Sequence, residues 1–296
     1  MGALSNVVKN FYGFHEVVDK PTPEALQQYY ADKYYQAGQG SYEKAYTGPE
    51  IRYFRAKIEQ KHIAAQPYYT KPTERAPRFL DVGCGEGWSL AYFNEAGWDC
   101  LGLDYSAFGC QSQNPSMSEL LRVGDIYENL VALAHEQTRF DLILLDNVLE
   151  HVTDPGALLQ SLRTLLTPSG VLIVEVPNDF SPLQQHLLDK GHIDSPFWVV
   201  VPDHLSYFNA EGLRALAQDT GWEVRRLMTD YPIDLSLVNP DSNYIRDRSR
   251  GKACHLARVE IENLIHDLSP EKAVALYSAF AELGIGRALT AVLTPR

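Results

Sequence analysis

The 296-residue sequence predicts an α/β fold: a mostly parallel sheet flanked by helices, with a helical arm ahead of it and a helical insertion near its end. Three observations predict this. Apolar runs of four to seven residues alternate with helical segments from Arg78 to Met228, the order that joins parallel strands through right-handed crossovers. Phe140–Leu145 is almost wholly apolar, as a strand covered on both faces must be. The first run ends in a glycine-rich turn, and a helix starts at once.

The elements follow in order. The stretch from Tyr29 to Tyr69 is rich in tyrosine and predicts short helices near 23–36 and 48–65, broken at Gly38-Gln39-Gly40. Thr47-Gly48-Pro49-Glu50 is a helix start, with proline near the first helical position. Pro67, Pro72 and Pro77 mark a linker. Strands are expected at 78–82, 98–103 and 120–123, separated by a helix over 88–96 that Gly97 stops. A helix over 128–135 leads to the strand at 140–145. Asp154-Pro155 opens the next helix, whose leucines 158, 159, 162, 165 and 166 hold helical spacing. Pro168-Ser169-Gly170 is read as a turn into a strand at 171–176. A loop-rich insertion runs to about Pro202, followed by a helix from Asn209 to Gly221 and a strand at 222–228. Residues 252–268 and 270–283 read as a helical hairpin, and 288–293 as a last strand. The resulting division is an arm (1–72), a core (73–238) and a C-terminal hairpin with its strand (239–296).

Composition narrows the function. Lys and Arg number 26 against 38 Asp and Glu, a net charge of −12, which repels a phosphate backbone and argues against nucleic acid as partner. The four cysteines form no C-x-x-C pair, so neither a zinc ribbon nor a disulfide framework is expected. Lys9, Glu16 and Asp19 interrupt any signal-peptide core, and no apolar run reaches the roughly 20 residues of a membrane span. A cytoplasmic location is the expectation.

The chemistry sits in Leu80-Asp81-Val82-Gly83-Cys84-Gly85-Glu86-Gly87. Glycines after a strand let a ligand approach the backbone, and the helix start offers unpaired N–H groups. In a parallel sheet that turn lies at the carboxyl edge, where ligands bind. Asp104, 23 positions after Asp81, ends the next strand and can take two ribose hydroxyls. Asp125 follows the third strand, placed for an adenine amino group, and Asp81 can orient the loop or a ligand ammonium. The glycine spacing is G-x-G-x-G, where a dinucleotide fingerprint would read G-x-G-x-x-G.

Together with Leu103-Asp104, Gly124-Asp125 and Phe140-Asp-Leu-Ile-Leu-Leu-Asp-Asn-Val-Leu-Glu-His-Val152, this stretch resembles class I S-adenosylmethionine-dependent methyltransferases over about residues 78–230. The resemblance implies a Rossmann-like fold with a seven-stranded, mostly parallel sheet, and S-adenosylmethionine as cofactor. It implies that Gly83, Cys84, Gly85 and Gly87 flank the methionine part. Asp104 and Tyr105 would lie at the ribose, Asp125 and Ile126 at the adenine, and Asp146 and Asn147 beneath the sulfonium. Pro202-Asp203-His204-Leu205-Ser206-Tyr207-Phe208 resembles a His-containing segment of sugar methyltransferases. The tyrosine arm is similar to arms in enzymes of cell-surface polysaccharide assembly. The cysteine cluster of some deoxysugar C-methyltransferases is absent, which favours oxygen as the acceptor atom.

The expected activity is methyl transfer to a hydroxyl of a small molecule: a sugar, nucleotide-sugar or glycan. His204 is the candidate general base, with Asp203 to orient it and His151 as a second candidate. No metal is expected, though Glu150-His151 and Asp154 offer ligand atoms. Tyr42 or Tyr46 is a candidate lid, and Arg246–Lys252 a candidate phosphate grip. A homodimer is possible. Alternatives are an RNA or protein methyltransferase and a non-catalytic cofactor-binding module.

Overall fold

The structure, a computed structural model, describes residues 6–22, 25–26 and 45–296. Strands β1 (Val7–Lys9) and β2 (His15–Val17) form an antiparallel hairpin. Helix α1 (Gly48–Ala65) begins at Thr47, whose N–H donates to the Glu50 carboxylate at 2.8 Å. After it come β3 (Arg78–Val82), α2 (Trp88–Glu95), β4 (Asp99–Asp104), α3 (Phe108–Gln113) and β5 (Leu121–Val123). Next are α4 (Ile126–His135), β6 (Phe140–Asp146), α5 (Pro155–Arg163) and β7 (Leu166–Pro177). Then follow α6 (Pro182–Asp189), β8 (Ser206–Tyr207), α7 (Ala210–Asp219) and β9 (Trp222–Thr229). The chain ends with α8 (Gly251–Leu268), α9 (Pro270–Glu282) and β10 (Ala288–Pro295).

The main sheet has seven strands in the order β5-β4-β3-β6-β7-β10-β9. The first five are parallel; β10 runs antiparallel between β7 and β9. This is the Rossmann-like arrangement that the resemblance implies, and the last strand indeed returns to the sheet. Alternation along the strands divides the core in two. On one face Leu80, Val82, Leu103, Ile143, Leu145, Leu172 and Val174 pack with the leucines of α4, α5 and α7. On the other, Phe79, Leu142, Leu144, Val171 and Ile173 meet Ile58 and Ala64 of α1, Phe93 of α2 and Tyr277 of α9.

Four features depart from the sequence reading. The expected turn at Pro168–Gly170 lies within β7: Phe140 pairs with Leu166 but Leu142 with Val171, so three extra residues are absorbed as a bulge. Helix α4 starts at Ile126, two residues before the expected start, because Asp125 caps it by accepting the Glu128 N–H at 3.0 Å. The insertion contains α6, opened by Ser181 and Pro182. The β1–β2 hairpin pairs with β8, His15 opposite Tyr207, in a second three-stranded sheet. That small sheet has its own core of Val7, Val17, Leu187, Trp198, Leu205 and Tyr207. The expected helix over 23–36 falls, but for Ala25 and Leu26, outside the described residues.

Candidate active site

The turn after β3 is tied directly to β4: the Gly83 and Cys84 N–H groups donate to the Leu103 carbonyl at 2.8 and 3.1 Å. Gly83 has φ +79°, and a Cβ there would lie 2.4 Å from Val148 Cγ2. Gly87 has φ +76°, with Cys110 Sγ 2.8 Å from such a Cβ. Both positions therefore exclude a side chain twice over, by conformation and by space. Cys84 is buried, and burial pushes its thiol pKa far up, so it is packing and no nucleophile.

Asp104 holds this turn open. Its Oδ2 accepts the Gly85 N–H at 2.8 Å and its Oδ1 the Ser106 N–H at 3.0 Å. Burial raises its pKa, against those two amides, which favour the charged form. Each oxygen keeps a second lone pair for a ribose hydroxyl. Tyr105 donates its hydroxyl to Asp125 Oδ2 at 3.0 Å, so Tyr105, Asp125 and the buried Ile126 form one corner after Asp104.

Asp81 is 1% exposed, and its Oδ2 has no hydrogen-bond partner. Burial, with the nearby Asp146 charge adding to it, pushes its pKa up to about 8. A buried carboxyl oxygen without a partner can accept from a ligand donor such as an amino acid ammonium, whose charge would favour its ionised form. The glycine cradle and this oxygen fit the methionine end of the cofactor.

Asp146 ends β6. Its Oδ1 accepts the Asn147 side-chain amide at 2.8 Å, and its Oδ2 is ion-paired with Lys61 from α1. Asn147 stands at φ +53°, its N–H donating to the Glu175 carbonyl at 3.0 Å. Lys61 also reaches Glu175 Oε2 at 3.2 Å. Tyr46, from the arm, donates to Glu86 Oε1 at 2.9 Å inside the glycine turn, and Trp88 donates to the other oxygen at 2.8 Å. Tyr42 lies outside the described residues.

The second sheet meets the main sheet at the turn after β6. The Leu205 N–H donates to the Glu150 carbonyl at 2.8 Å, which brings residues 203–208 to the short turn Leu149–His151 after β6. His151 Nδ1 lies 2.7 Å from the Asp203 carbonyl oxygen, so Nδ1 carries a proton and donates to it. The Asp203 carboxylate is 4.0 Å from the same Nδ1. Asp203 was expected beside His204; its backbone carbonyl orients His151. The two imidazoles stand edge-on, centroids 4.8 Å apart. Glu150 is 1% exposed, its Oε1 is 3.7 Å from His151 Nε2, and burial raises its pKa strongly. Glu150, His151 and His204 each place a ligand atom within 4.8 Å of the others, a span a divalent cation could bridge. Asp154, weighed as a further ligand, caps α5 through the Ala157 N–H at 2.9 Å. In the basic run, Arg246 contacts the Gly191 carbonyl and Asp194, and Arg250 contacts Asp247 and the Asp241 carbonyl.

A family profile described as a methyltransferase domain matches residues 52–227, more than half of the chain. The chain belongs to this methyltransferase family. Among curated proteins it is similar to the ubiquinone biosynthesis O-methyltransferase of Rhodopseudomonas palustris strain TIE-1, 33% identical over 101 residues, 34% of this chain and 40% of that one. The enzyme of the same name from Chelativorans sp. strain BNC1 is 30% identical over 129 residues, 43% of this chain and 50% of that one. The alignments thus span half or less of these relatives' length. A methyltransferase structure from Archaeoglobus fulgidus aligns over 81% of this chain and 97% of its own, with 19% identity and a TM-score of 0.48.

Sequence reasoning about this methyltransferase missed Lys61 and the role of the Asp203 carbonyl. Lys57 and Lys61 are one helical turn apart, a spacing that also suits a solvated face, and only the buried side of α1 reveals otherwise. The Asp203 contact is a backbone one and leaves no trace in residue type. No helix among the described residues is long and apolar enough to cross a membrane.

Proposed function

We propose that the enzyme methylates a hydroxyl of a small polyhydroxylated acceptor, a sugar, nucleotide-sugar or glycan. The observation that carries an oxygen acceptor is the pair of imidazoles at the carboxyl edge, one with its tautomer set by the Asp203 carbonyl. The names of the curated relatives, O-methyltransferases, support the same acceptor atom. The sugar reading rests on the likeness of residues 202–208 to sugar methyltransferases.

Asp81 and the Gly83–Gly87 turn would hold the methionine end, Asp104 the ribose, and Asp125 with Ile126 the adenine. When bound, S-adenosylmethionine supplies the methyl electrophile and leaves as a neutral thioether. The acceptor hydroxyl is a weak nucleophile. His204 takes its proton as the new C–O bond forms, and His151, held by Asp203, lies against it to stabilise the imidazolium orientation. The second sheet, which shares a core with α6 and meets the turn after β6, would shape the acceptor side. A second reading is favoured by Glu150, His151 and His204, whose spacing fits a divalent cation that would orient two adjacent hydroxyls.

The test is transfer from methyl-labelled S-adenosylmethionine to a panel of nucleotide-sugars, free sugars, polysaccharide fragments and dihydroxylated aromatics. Label in a carbohydrate supports the proposal. Label confined to the aromatics, or to added RNA or protein, overturns it.

A further inference from the structure

The methyl-donor end of the site contains a charge that the resemblance does not assign. Lys61 projects from α1 between the carboxyl ends of β6 and β7, its side chain 6% exposed. It is ion-paired with Asp146 Oδ2 and lies 3.2 Å from Glu175 Oε2, whose second contact is the Thr290 hydroxyl. Lys57, one turn earlier, faces Asp230 and Glu262, each at 3.9 Å. Burial works against the Lys61 ammonium, but Asp146 and Glu175 outweigh it and hold the cation. Asp81 completes the set from β3, sensing both Asp146 and Lys61.

These contacts give Lys61 two tasks. It fixes the Asp146 carboxylate from one side while the Asn147 amide fixes it from the other. It also cancels one of two adjacent carboxylates, the buried Glu175 and the part-exposed Asp146. The ligand's charge changes during turnover: the sulfonium is a cation and the thioether product is neutral. Any net negative charge left beside the sulfur therefore strengthens substrate cofactor over product, at low-dielectric range.

We propose that Lys61 is a positioning residue that sets the charge balance beneath the sulfonium, and so the preference of the site for S-adenosylmethionine over S-adenosylhomocysteine. This rests on the reading that places Asp146 below the sulfur. The helix that delivers Lys61 precedes the sheet, so the N-terminal arm takes part in cofactor discrimination as well as in packing.

The experiment is calorimetric titration of the full chain with S-adenosylmethionine and, separately, S-adenosylhomocysteine. Lys61→Met removes the cation and is expected to raise the ratio of the two affinities by about fivefold or more. Lys61→Arg keeps the charge and is expected to restore the wild-type ratio. Lys61→Met leaves the buried Glu175 and the part-exposed Asp146 without their ammonium partner and can fail to fold. Glu175→Gln is the companion variant: it removes one negative charge, and the ratio is expected to fall. Opposite shifts of the ratio in the two variants, or the fall in Glu175→Gln alone if Lys61→Met does not fold, support the proposal. An unchanged ratio in the folded variants, or shifts of the same sign, overturns it. If wild-type protein binds neither compound, the cofactor-site assignment itself fails, a result separate from an unchanged ratio.

Discussion

Asp104→Ala tests the cofactor site most sharply. The carboxylate holds the Gly85 and Ser106 N–H groups at 2.8 and 3.0 Å and, in the proposed cofactor site, would accept two ribose hydroxyls. A hydrogen bond to a charged group contributes about 1.5–3 kcal/mol, so losing two ribose contacts removes about 3–6 kcal/mol gross. Relief of a buried charge, evident in the raised pKa of Asp104, stabilises the variant and offsets part of its own loss of the two amide bonds. It does not restore the ribose contacts. Water reaching the ribose replaces some of them, so the net expected loss is at least about 1.4 kcal/mol, or tenfold in Kd, and up to about a hundredfold. Calorimetric titration with S-adenosylmethionine reads the affinity. Circular dichroism and a thermal melt verify that the variant is folded. A folded Asp104→Ala protein that binds S-adenosylmethionine with wild-type affinity would refute the assignment.

Three further outcomes are expected. His204→Ala should lower kcat at least tenfold while S-adenosylmethionine affinity stays within about twofold; wild-type turnover would remove His204 as base. Buried His62, within hydrogen-bond distance of the Tyr69 and Tyr92 hydroxyls, has its pKa pulled down to about 4 from 6.5 by burial first and Lys71 second. The unfolded chain thus binds a proton that the folded chain refuses between pH 6.5 and 4. That stability is complete above pH 6.5 and falls by about 3 kcal/mol as pH drops to 4. Urea melts should show this slope in the wild type and its loss in His62→Gln; equal slopes would contradict it. Chelation with EDTA should leave turnover unchanged if the imidazoles work without a metal, whereas loss of activity restored by a divalent ion would favour the Glu150–His151–His204 alternative.

Much of the main sheet was legible because its strands are long enough to carry a pattern. The run Phe140–Leu145 and the leucines of α5 could be read from spacing alone, and both lie in the core as expected. The glycine turn was legible because positive φ at Gly83 and Gly87 leaves few residue choices. The second sheet was not: its strands have three, three and two residues, too short for any period, and β2 pairs with β8 across almost two hundred positions. Yet that sheet delivers Asp203 and His204 to His151. The bulge in β7 was hidden for a related reason, since Pro168-Ser169-Gly170 carries turn chemistry that the neighbouring strand absorbs. Lys61 was invisible because burial of a lysine depends on carboxylates from distant strands.

The most direct test of the whole account is the structure of the product. Enzyme, S-adenosylmethionine and the best carbohydrate acceptor are incubated together, and the purified product is analysed by mass spectrometry and NMR. The expected product carries one added methyl per acceptor, bonded to a ring or chain oxygen, with one equivalent of S-adenosylhomocysteine formed. A methyl on carbon or nitrogen, or S-adenosylhomocysteine released with no methylated carbohydrate, would contradict it.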